Sequence, residues 1–450
     1  MAERLVVIGG DAGGMAAASQ ARRQQPYMEI VALEKGRWTS YSACGIPYLV
    51  AGDVADPQDL VARTPEQFRD QHRIDVRMGH EAVAIDLDAR KVEVRDHTRD
   101  RTLTLGFDLL HVATGARPIR PDLPGIDRPE VHGVQTLDDG IHLLDHARKG
   151  GCDRVVIVGG GYIGLEMAEA FVRRGSQVTL IEGDDQVMRT MDPDMAAPIA
   201  AAIRSVGVDL RLGVRAEAFE DGAVQTSAGT IPADLVVLGL GVAPNAQLAA
   251  DAGVRTGVRG AIRVDRRQRT SVEGVYAAGD CAESYHLVTQ RQIHVALGTV
   301  ANKQGRVAGI NLGGGYASFP GVVGTAVTKI CSLEVARTGV NQKEADRAGF
   351  RYETVVIDST TRAGYFPGAK PIRIKLLAEH NTRRILGAQI VGEEGAAKRI
   401  DVLATAITAR MTVDEVIDLD LAYAPPFSGV WDAVHIAARK GAQALDQATG

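Results

Sequence analysis

The chain is poor in cysteine, in aromatic residues and in long apolar runs. Its four cysteines, Cys44, Cys152, Cys281 and Cys331, include no close pair. That spacing argues against a disulfide framework and against a metal site, and it fits a reducing cytoplasm. No apolar run approaches the roughly 20 residues that cross a bilayer. The N-terminus enters an apolar strand without a basic stretch before it, so no signal peptide is expected and the protein is placed in the cytoplasm. The formal net charge is −5, which argues against nucleic acid or an anionic membrane as a main partner. Aromatic residues make up only 4% of the chain, so individual tyrosines stand out.

What the chain does have is a repeat. Leu5-Val6-Val7-Ile8 runs into Gly9-Gly10-Asp11-Ala12-Gly13-Gly14. Val155-Val156-Ile157-Val158 runs into Gly159-Gly160-Gly161-Tyr162-Ile163-Gly164. Each apolar run predicts a buried strand, each glycine group a turn, and the Ala-rich stretch after it a helix. A second apolar run ending in an acid follows each time, Ile30 to Glu34 and Val178 to Glu182. That is the βαβ dinucleotide fingerprint twice over. Glycines permit the tight turn and let a pyrophosphate approach the helix N-terminus, where free N–H groups and the dipole favour negative charge. The acid accepts hydrogen bonds from ribose hydroxyls. Two such sites in one chain imply two dinucleotides and a hydride passed between them. The first copy departs from the rule, because Asp11 stands at the second glycine position. A carboxylate there would repel a pyrophosphate, so it is expected to turn away and bond the local backbone.

The repeat continues past the fingerprints. Phe107 to Pro118 reads as a buried strand entering a Thr114-Gly115 turn, and Ala233 to Asn245, with Gly241, repeats that plan. A helix is expected near Pro65 to His72 and a hairpin-like stretch near Val83 to Val94. Gly274 to Ala282 reads as a strand meeting a helix at an acid, Asp280. After Gly313-Gly314-Gly315 the pattern changes to strands, such as Tyr352 to Ile357 and Ile372 to Leu377. Helices over Ala396 to Ala409 and Ser428 to Ala438 follow. The expected class is α/β, with two Rossmann-like dinucleotide-binding domains and a C-terminal α+β domain that has no nucleotide motif.

In this order, the first fingerprint, Ala113-Thr114-Gly115, the second fingerprint and Ala278-Gly279-Asp280 resemble the two-dinucleotide flavoproteins, the pyridine nucleotide–disulfide oxidoreductases. The resemblance covers essentially the full length. It implies FAD in the first site, NADH in the second, and a C-terminal dimerisation domain, hence a homodimer. It divides the chain into an FAD-binding domain, 1–120 with 246–319, an NAD(H)-binding domain, 121–245, and the dimerisation domain, 320–450. It implies that Asp280 binds the ribityl chain of FAD. Gly9, Gly13, Gly14, Glu34, Lys35, Val83, Thr114, Gly115 and Gly279 would complete that site. Gly159, Gly161, Gly164, Glu182 and Gly241 would line the NADH site.

Members with two redox cysteines carry Cys-x4-Cys after the second strand; here Cys44 is followed by Leu49 at that spacing. Their His-Pro and Glu acid–base pair is absent too, since the matching region reads Ala422 to Phe427. Cys44-Gly45-Ile46-Pro47-Tyr48 is similar to the single-cysteine branch, and most to its coenzyme A disulfide reductases. Oxidases and peroxidases of that branch carry a histidine where this chain has Ala12. In the reductases two tyrosines, matching Tyr365 and Tyr423, reach the cysteine of the other subunit. The coenzyme A site maps to Gln20, Arg23 and Ser40. Two positions depart from the usual pattern there, Ala43 for Asn and His72 for Lys.

Read as residues alone, these positions keep second meanings. Cys44 fits a core thiol, although glycine after it at an expected helix start favours a reactive thiolate. Tyr423 fits a residue packing a turn, and Arg22 and Arg23 fit a solvated helix face. Glu182 is followed by Gly183-Asp184-Asp185, with no Arg or Lys, so the 2′-phosphate of NADPH would meet only negative charge and NADH is the expected donor. The expected activity is FAD-dependent reduction of coenzyme A disulfide or a persulfide by NADH through Cys44, with Tyr423 and Tyr365 assisting the departing thiol. The alternatives are an NADH oxidase reducing O2 and a non-enzymatic NADH-binding flavoprotein that signals redox state.

Overall fold

Strands without polar alternation belong in sheets covered on both faces. The computed structural model of the chain, which describes residues 3–148 and 152–449, uses the apolar repeats that way. The first sheet has the order Val275–Ala277, Leu109–Val112, Arg4–Ile8, Glu29–Glu34, Asp75–Met78. Every pair in it is parallel, and Val6 lies opposite both Val31 and Leu110. Val6 and Ile8 face one core cluster, while Leu5 and Val7 face another. The second sheet has the order Asp209–Leu212, Gln177–Glu182, Arg154–Val158, Leu235–Leu238, Val131–Gly133, again parallel. It divides its side chains in the same way, Val155 and Ile157 to one face, Val156 and Val158 to the other.

At the glycine turns the repeat reaches single atoms. Gly9 and Gly159 have φ of +112° and +105°, a region open to glycine and costly for other residues. A Cβ on Gly9 would lie 2.1 Å from the Ala113 carbonyl oxygen, and one on Gly159 2.6 Å from that of Gly239. Gly14 and Gly164 each face the carbonyl of their turn's first glycine, where a Cβ would lie 1.9 Å away. The helices Ala12–Gln24 and Tyr162–Arg173 thus begin hard against their strands. The first of them also packs along Gly298–Leu312. There a Cβ on Gly305 would lie 2.3 Å from the Gly13 oxygen, and one on Gly309 2.3 Å from the Ala17 oxygen.

The C-terminal part is a five-stranded antiparallel sheet, Ala326–Ile330, Leu333–Gly339, Ile385–Gly392, Pro371–Glu379, Tyr352–Thr360. Helices Ile400–Thr408 and Ala433–Thr449 cover it, with Ile374, Leu376, Ile390, Leu403 and Val434 in a shared core. No helix among the described residues is long and apolar enough to cross a membrane.

The helix Pro65–His72 lies where its sequence predicts, closed by a capping box between Thr64 and Gln67. The hairpin expected near Val83 is present, His80–Asp86 pairing antiparallel with Lys91–Asp96, and Arg101–Gly106 adds a third strand to it. Two expectations are corrected. Ala277 is not followed by a helix: Gly279 takes φ +82° and donates its N–H to Gln304, and the next helix starts at Gly298. The last helix starts at Ala433 rather than near Ser428, because Asp432 accepts from both Ser428 Oγ and the Val434 N–H and so closes its start.

The glycine crossing makes a testable demand. Gly305→Val should force the two helices apart at a cost of about 1–3 kcal/mol. The expected readout is a lower unfolding midpoint. An unchanged midpoint would show slack at this crossing.

Candidate active site

Glu34 closes the first turn from the end of its strand. The Gly10 N–H donates to Glu34 Oε2 at 2.8 Å, and the Gly36 N–H to Oε1 at 2.7 Å. Asp11 makes no capping bond to its own helix; its Oδ1 accepts from the Tyr41 N–H at 3.2 Å. It bonds a backbone N–H, as expected, but that of a segment remote in sequence rather than of its own turn. Burial pushes the Asp11 carboxyl up to about 7; Glu34 and Asp280 add to this, and the Tyr41 and Ala12 N–H groups oppose it. Asp280 sits in a turn that abuts the same place, where a Cβ on Gly13 would lie 3.1 Å from the Ala278 oxygen. Burial raises the Asp280 carboxyl as well. Gly115, at φ +68°, and Gly298 have no protein atom within 4 Å of a Cβ position, so the backbone there borders open space. This cradle fits FAD: Glu34 could hold the adenosine ribose, the start of Ala12–Gln24 the pyrophosphate, and Asp280 the ribityl hydroxyls. Lys35 and Val83 are exposed, Val83 within a bulge of its strand.

Glu182 repeats the clamp, accepting from the Gly160 N–H at 2.7 Å and the Asp184 N–H at 3.0 Å. Gly161 precedes the helix Tyr162–Arg173, and Gly241, at φ +85°, stays clear of all but Ile119. The two closing turns meet. Asn245 donates its N–H to the Gly115 oxygen at 2.9 Å and Nδ2 to the Thr114 oxygen at 3.1 Å, beside the antiparallel pair Ala116–Pro118 and Val242–Pro244. The expectation that no cation stands near Glu182 is corrected. Arg189 pairs with Asp184 at 2.9 Å, and Arg215 lies across Gly183. Arg215 comes from a different strand connection, so local sequence gives no sign of it.

Cys44 is the one exposed cysteine; Cys152 and Cys281 are buried and Cys331 is half-buried. The expected helix start is a single three-residue turn, Ala43–Gly45, leading into the short helix Ile46–Ala51. The expected lowering of the thiol is also corrected. Although the residue is exposed, the atoms packed around it desolvate the thiol and push it up, and the charges of Glu166 and Asp280 add to this. A helix this short has little dipole to oppose them. The short helix is fastened to the second nucleotide helix and its end, with Arg174 Nε donating to the Val50 oxygen at 2.6 Å and Arg173 paired with Asp53 at 2.5 Å. Glu166 on that helix accepts from Thr328 Oγ1 at 2.5 Å, and burial raises its carboxyl. Tyr48 feels the charge of Glu166 and of Cys44. Sequence reasoning missed Glu166, Tyr48 and Thr328; only the position of Glu166 two residues beyond the second fingerprint hinted at it.

Tyr365 and Tyr423 come together, though they are far apart in sequence. The Tyr365 side chain is the main reason the Tyr423 phenol is raised. Both are exposed, beside exposed Phe427, Val430 and Trp431. Gln20 and Arg23 also meet, at 3.2 Å, on the first helix. Burial lowers the His72 imidazole, and Arg63 and Arg23 lower it further, so three basic groups converge there. Arg22 is occupied otherwise: it donates to the backbone oxygens of His72, Arg73, Gln25 and Pro26. Ser40 holds the left-handed conformation at φ +50° and donates its N–H to the Gly10 oxygen at 3.1 Å.

Two clamped glycine turns flanking one exposed thiol define a flavoprotein of the two-dinucleotide class. Residues 3–305 match the family model described as pyridine nucleotide-disulphide oxidoreductase, and residues 325–434 match the dimerisation domain of that family. The chain belongs to the pyridine nucleotide-disulphide oxidoreductases, FAD-dependent enzymes. It is 39% identical over 442 residues to an NAD(P)H sulfur oxidoreductase (CoA-dependent) of Pyrococcus furiosus, covering 97% of this chain and 98% of the relative. It is 35% identical over 451 residues to an NADH oxidase of Methanocaldococcus jannaschii, covering 98% and 99%. It superposes on the structure of a NAD-dependent persulfide reductase from A. fulgidus with a TM-score of 0.95 and 40% identity, over 99% of this chain and 84% of that one.

Two titrations follow from the site. Removing the charge at Glu166 should lower the thiol, so Glu166→Gln should let iodoacetamide label Cys44 at lower pH than in the parent; an unmoved pH profile would place Glu166 out of electrostatic reach. Asp11 binds its proton more tightly folded than unfolded. Its contribution to stability is therefore full below the ordinary value of 3.8 and lost as pH rises through about 7. Asp11→Asn should unfold at a higher temperature than the parent above that range, the gap closing toward low pH. A gap independent of pH would exclude this linkage.

Proposed function

We propose that the protein is a homodimeric NAD(P)H reductase of low-molecular-weight disulfides, acting on coenzyme A disulfide or a persulfide through Cys44. The observation that carries this reading is that the one exposed thiol rides on a segment fastened to the second nucleotide helix. The printed activities of the Pyrococcus and A. fulgidus relatives, sulfur and persulfide reduction, point the same way. NADH is the donor that the Glu182 carboxylate favours on charge alone. The domain bounds, 1–120 with 246–319, 121–245 and 320–450, and a cytoplasmic site of action go with this reading.

In the proposed exchange Cys44 Sγ attacks one sulfur of the substrate as thiolate. A Cys44–substrate S–S bond forms, the substrate's own S–S bond breaks, and the released half leaves with the electron pair. Tyr423, reaching across the dimer, gives that sulfur its proton. A phenol is protonated at neutral pH and can donate, and Tyr365 stands beside Tyr423. Gln20, Arg23 and Ser40 hold the coenzyme A portion, with the cations near His72 facing its phosphates. Bound FAD would supply the two-electron relay by which NAD(P)H cleaves the Cys44–substrate bond, releasing the second half as a thiol and leaving Cys44 as the thiolate for the next turn.

A second reading, O2 reduction, is favoured by the printed activity of the Methanocaldococcus relative. One experiment separates the two. Cys44→Ser should keep NADH-driven bleaching of the flavin under anaerobic conditions and lose coenzyme A disulfide reduction. Full O2 consumption in that variant, with no disulfide activity in the parent, would replace the reductase reading by the oxidase one. Tyr423→Phe should slow thiol release by about 10²-fold and leave flavin reduction unchanged, as followed by stopped-flow absorbance.

A further inference from the structure

Between the strand Gln177–Glu182 and the helix Pro193–Ser205 the chain passes over the second glycine turn. Gly160, whose N–H is held by Glu182, accepts at its oxygen from the Met188 N–H at 2.8 Å. A Cβ on Gly160 would lie 3.0 Å from Val187 Cγ1, so this segment rests directly on the turn. Val187, Met188 and Met191 are buried. Met188 holds φ at +49°, a left-handed conformation that a residue with a Cβ keeps only where its surroundings hold it.

What holds it comes from the dimerisation domain. The Thr190 oxygen accepts from Arg337 Nη1 at 2.6 Å and from Asn341 Nδ2 at 3.2 Å. Two residues on, Asp192 donates its N–H to Gln389 Oε1 and accepts from Gln389 Nε2, both at 2.7 Å. Arg337, Asn341 and Gln389 are all buried. Arg337 is itself fixed, because its Nη2 donates to the Gly339 oxygen at 3.0 Å and to Glu344 at 2.6 Å. Glu344 in turn shares a capping box with Asn341 at the start of the helix Gln342–Ala348. The guanidinium thus reaches Thr190 as a rigid fork. We infer that Arg337 is a positioning residue for NADH: acting from the dimerisation domain through the Thr190 oxygen, it holds the segment 187–192 against Gly160 and keeps the second nucleotide turn in its binding form. Asn341 backs it on the same oxygen. The affinity of the second site is then set in part by a domain with no nucleotide motif. The first turn is fastened separately, by Thr39 and Ser40 at the Gly10 oxygen, so its hold on FAD does not depend on Arg337. The inference rests on the nucleotide reading of the second turn.

The test is anaerobic stopped-flow reduction of the FAD-loaded protein by NADH, which separates the Kd for NADH from the limiting rate of flavin reduction. Arg337→Lys keeps a charge beside Glu344 but cannot reach the Thr190 and Gly339 oxygens at once. It should raise the Kd about tenfold, the scale of one charge-assisted hydrogen bond, and leave the limiting rate and the FAD content unchanged. Asn341→Ser keeps a capping side chain and loses the amide donor; it should raise the Kd about threefold, the scale of a neutral hydrogen bond. Hydrogen exchange should quicken at the Met188 amide in both variants and stay unmoved in the first glycine turn. An unchanged Kd overturns the inference, and so does a loss of FAD or of limiting rate at unchanged Kd, which would make Arg337 a purely structural residue. Should Arg337→Lys fail to fold, the Kd of Asn341→Ser decides alone. Failure of the parent to bind NADH overturns the nucleotide reading itself, and the inference with it.

Discussion

The structure depends on a strand, a turn and a helix crossing with no space for a single carbon atom between them. Gly14 rests on the Gly9 carbonyl and Gly164 on that of Gly159, each leaving 1.9 Å for an absent Cβ. The closeness brings the free N–H groups of each helix start to the end of its strand. The acid ending the neighbouring strand then fixes the turn from the other side, Glu34 through Gly10 and Gly36, Glu182 through Gly160 and Asp184. Each turn is thus rigid before any ligand arrives. A site assembled in advance does not spend binding energy on ordering its own loop.

The other parts are hung on this pair of turns by polar joints. Thr114, Gly115 and Asn245 tie the closing turns of the two parallel sheets to each other. A buried cluster fastens the second parallel sheet's surroundings to the antiparallel sheet. Lys375, 4% exposed, meets Asp192 at 3.0 Å and Asp194 at 2.7 Å, while Gln389 both donates to and accepts from Asp192. Buried ion pairs add little net stability, but separating one strands two charges. Such a joint therefore holds orientation more than it strengthens the fold. Thr328 on Glu166 and the Cys331 N–H on Glu169 extend the same contact toward the thiol.

The fold was legible in the sequence because glycine at fixed spacing and an acid at a strand end have few other uses. The closing turn at Thr114 was also legible as one of two copies of a plan, the other ending at Asn245, though not that the two meet. What the sequence hid was whatever depends on distant residues meeting. Arg215 is remote from Glu182 in the chain, and Arg22, which reads with Arg23 as a solvated helix face, spends its guanidinium on four backbone oxygens. The thiol went the other way from its local signal, because packing and the remote acids Glu166 and Asp280 outweigh one short helix. Tyr365 and Tyr423 were singled out separately; that they come together was visible only in three dimensions.

The first sheet borrows an edge strand, Val275–Ala277, from far down the chain, and its first helix leans on Gly298–Leu312. A ribosome delivers these pieces late. When Arg4–Ile8 and Leu109–Val112 have emerged, the edge of their sheet has no neighbour and one side of the helix no cover. The strands Arg154–Val158 through Leu235–Leu238 reach solution in the meantime and already contain most of their own sheet. Synthesis therefore completes the second unit before the first, and the older half of the protein waits, open along one edge, for a strand not yet made.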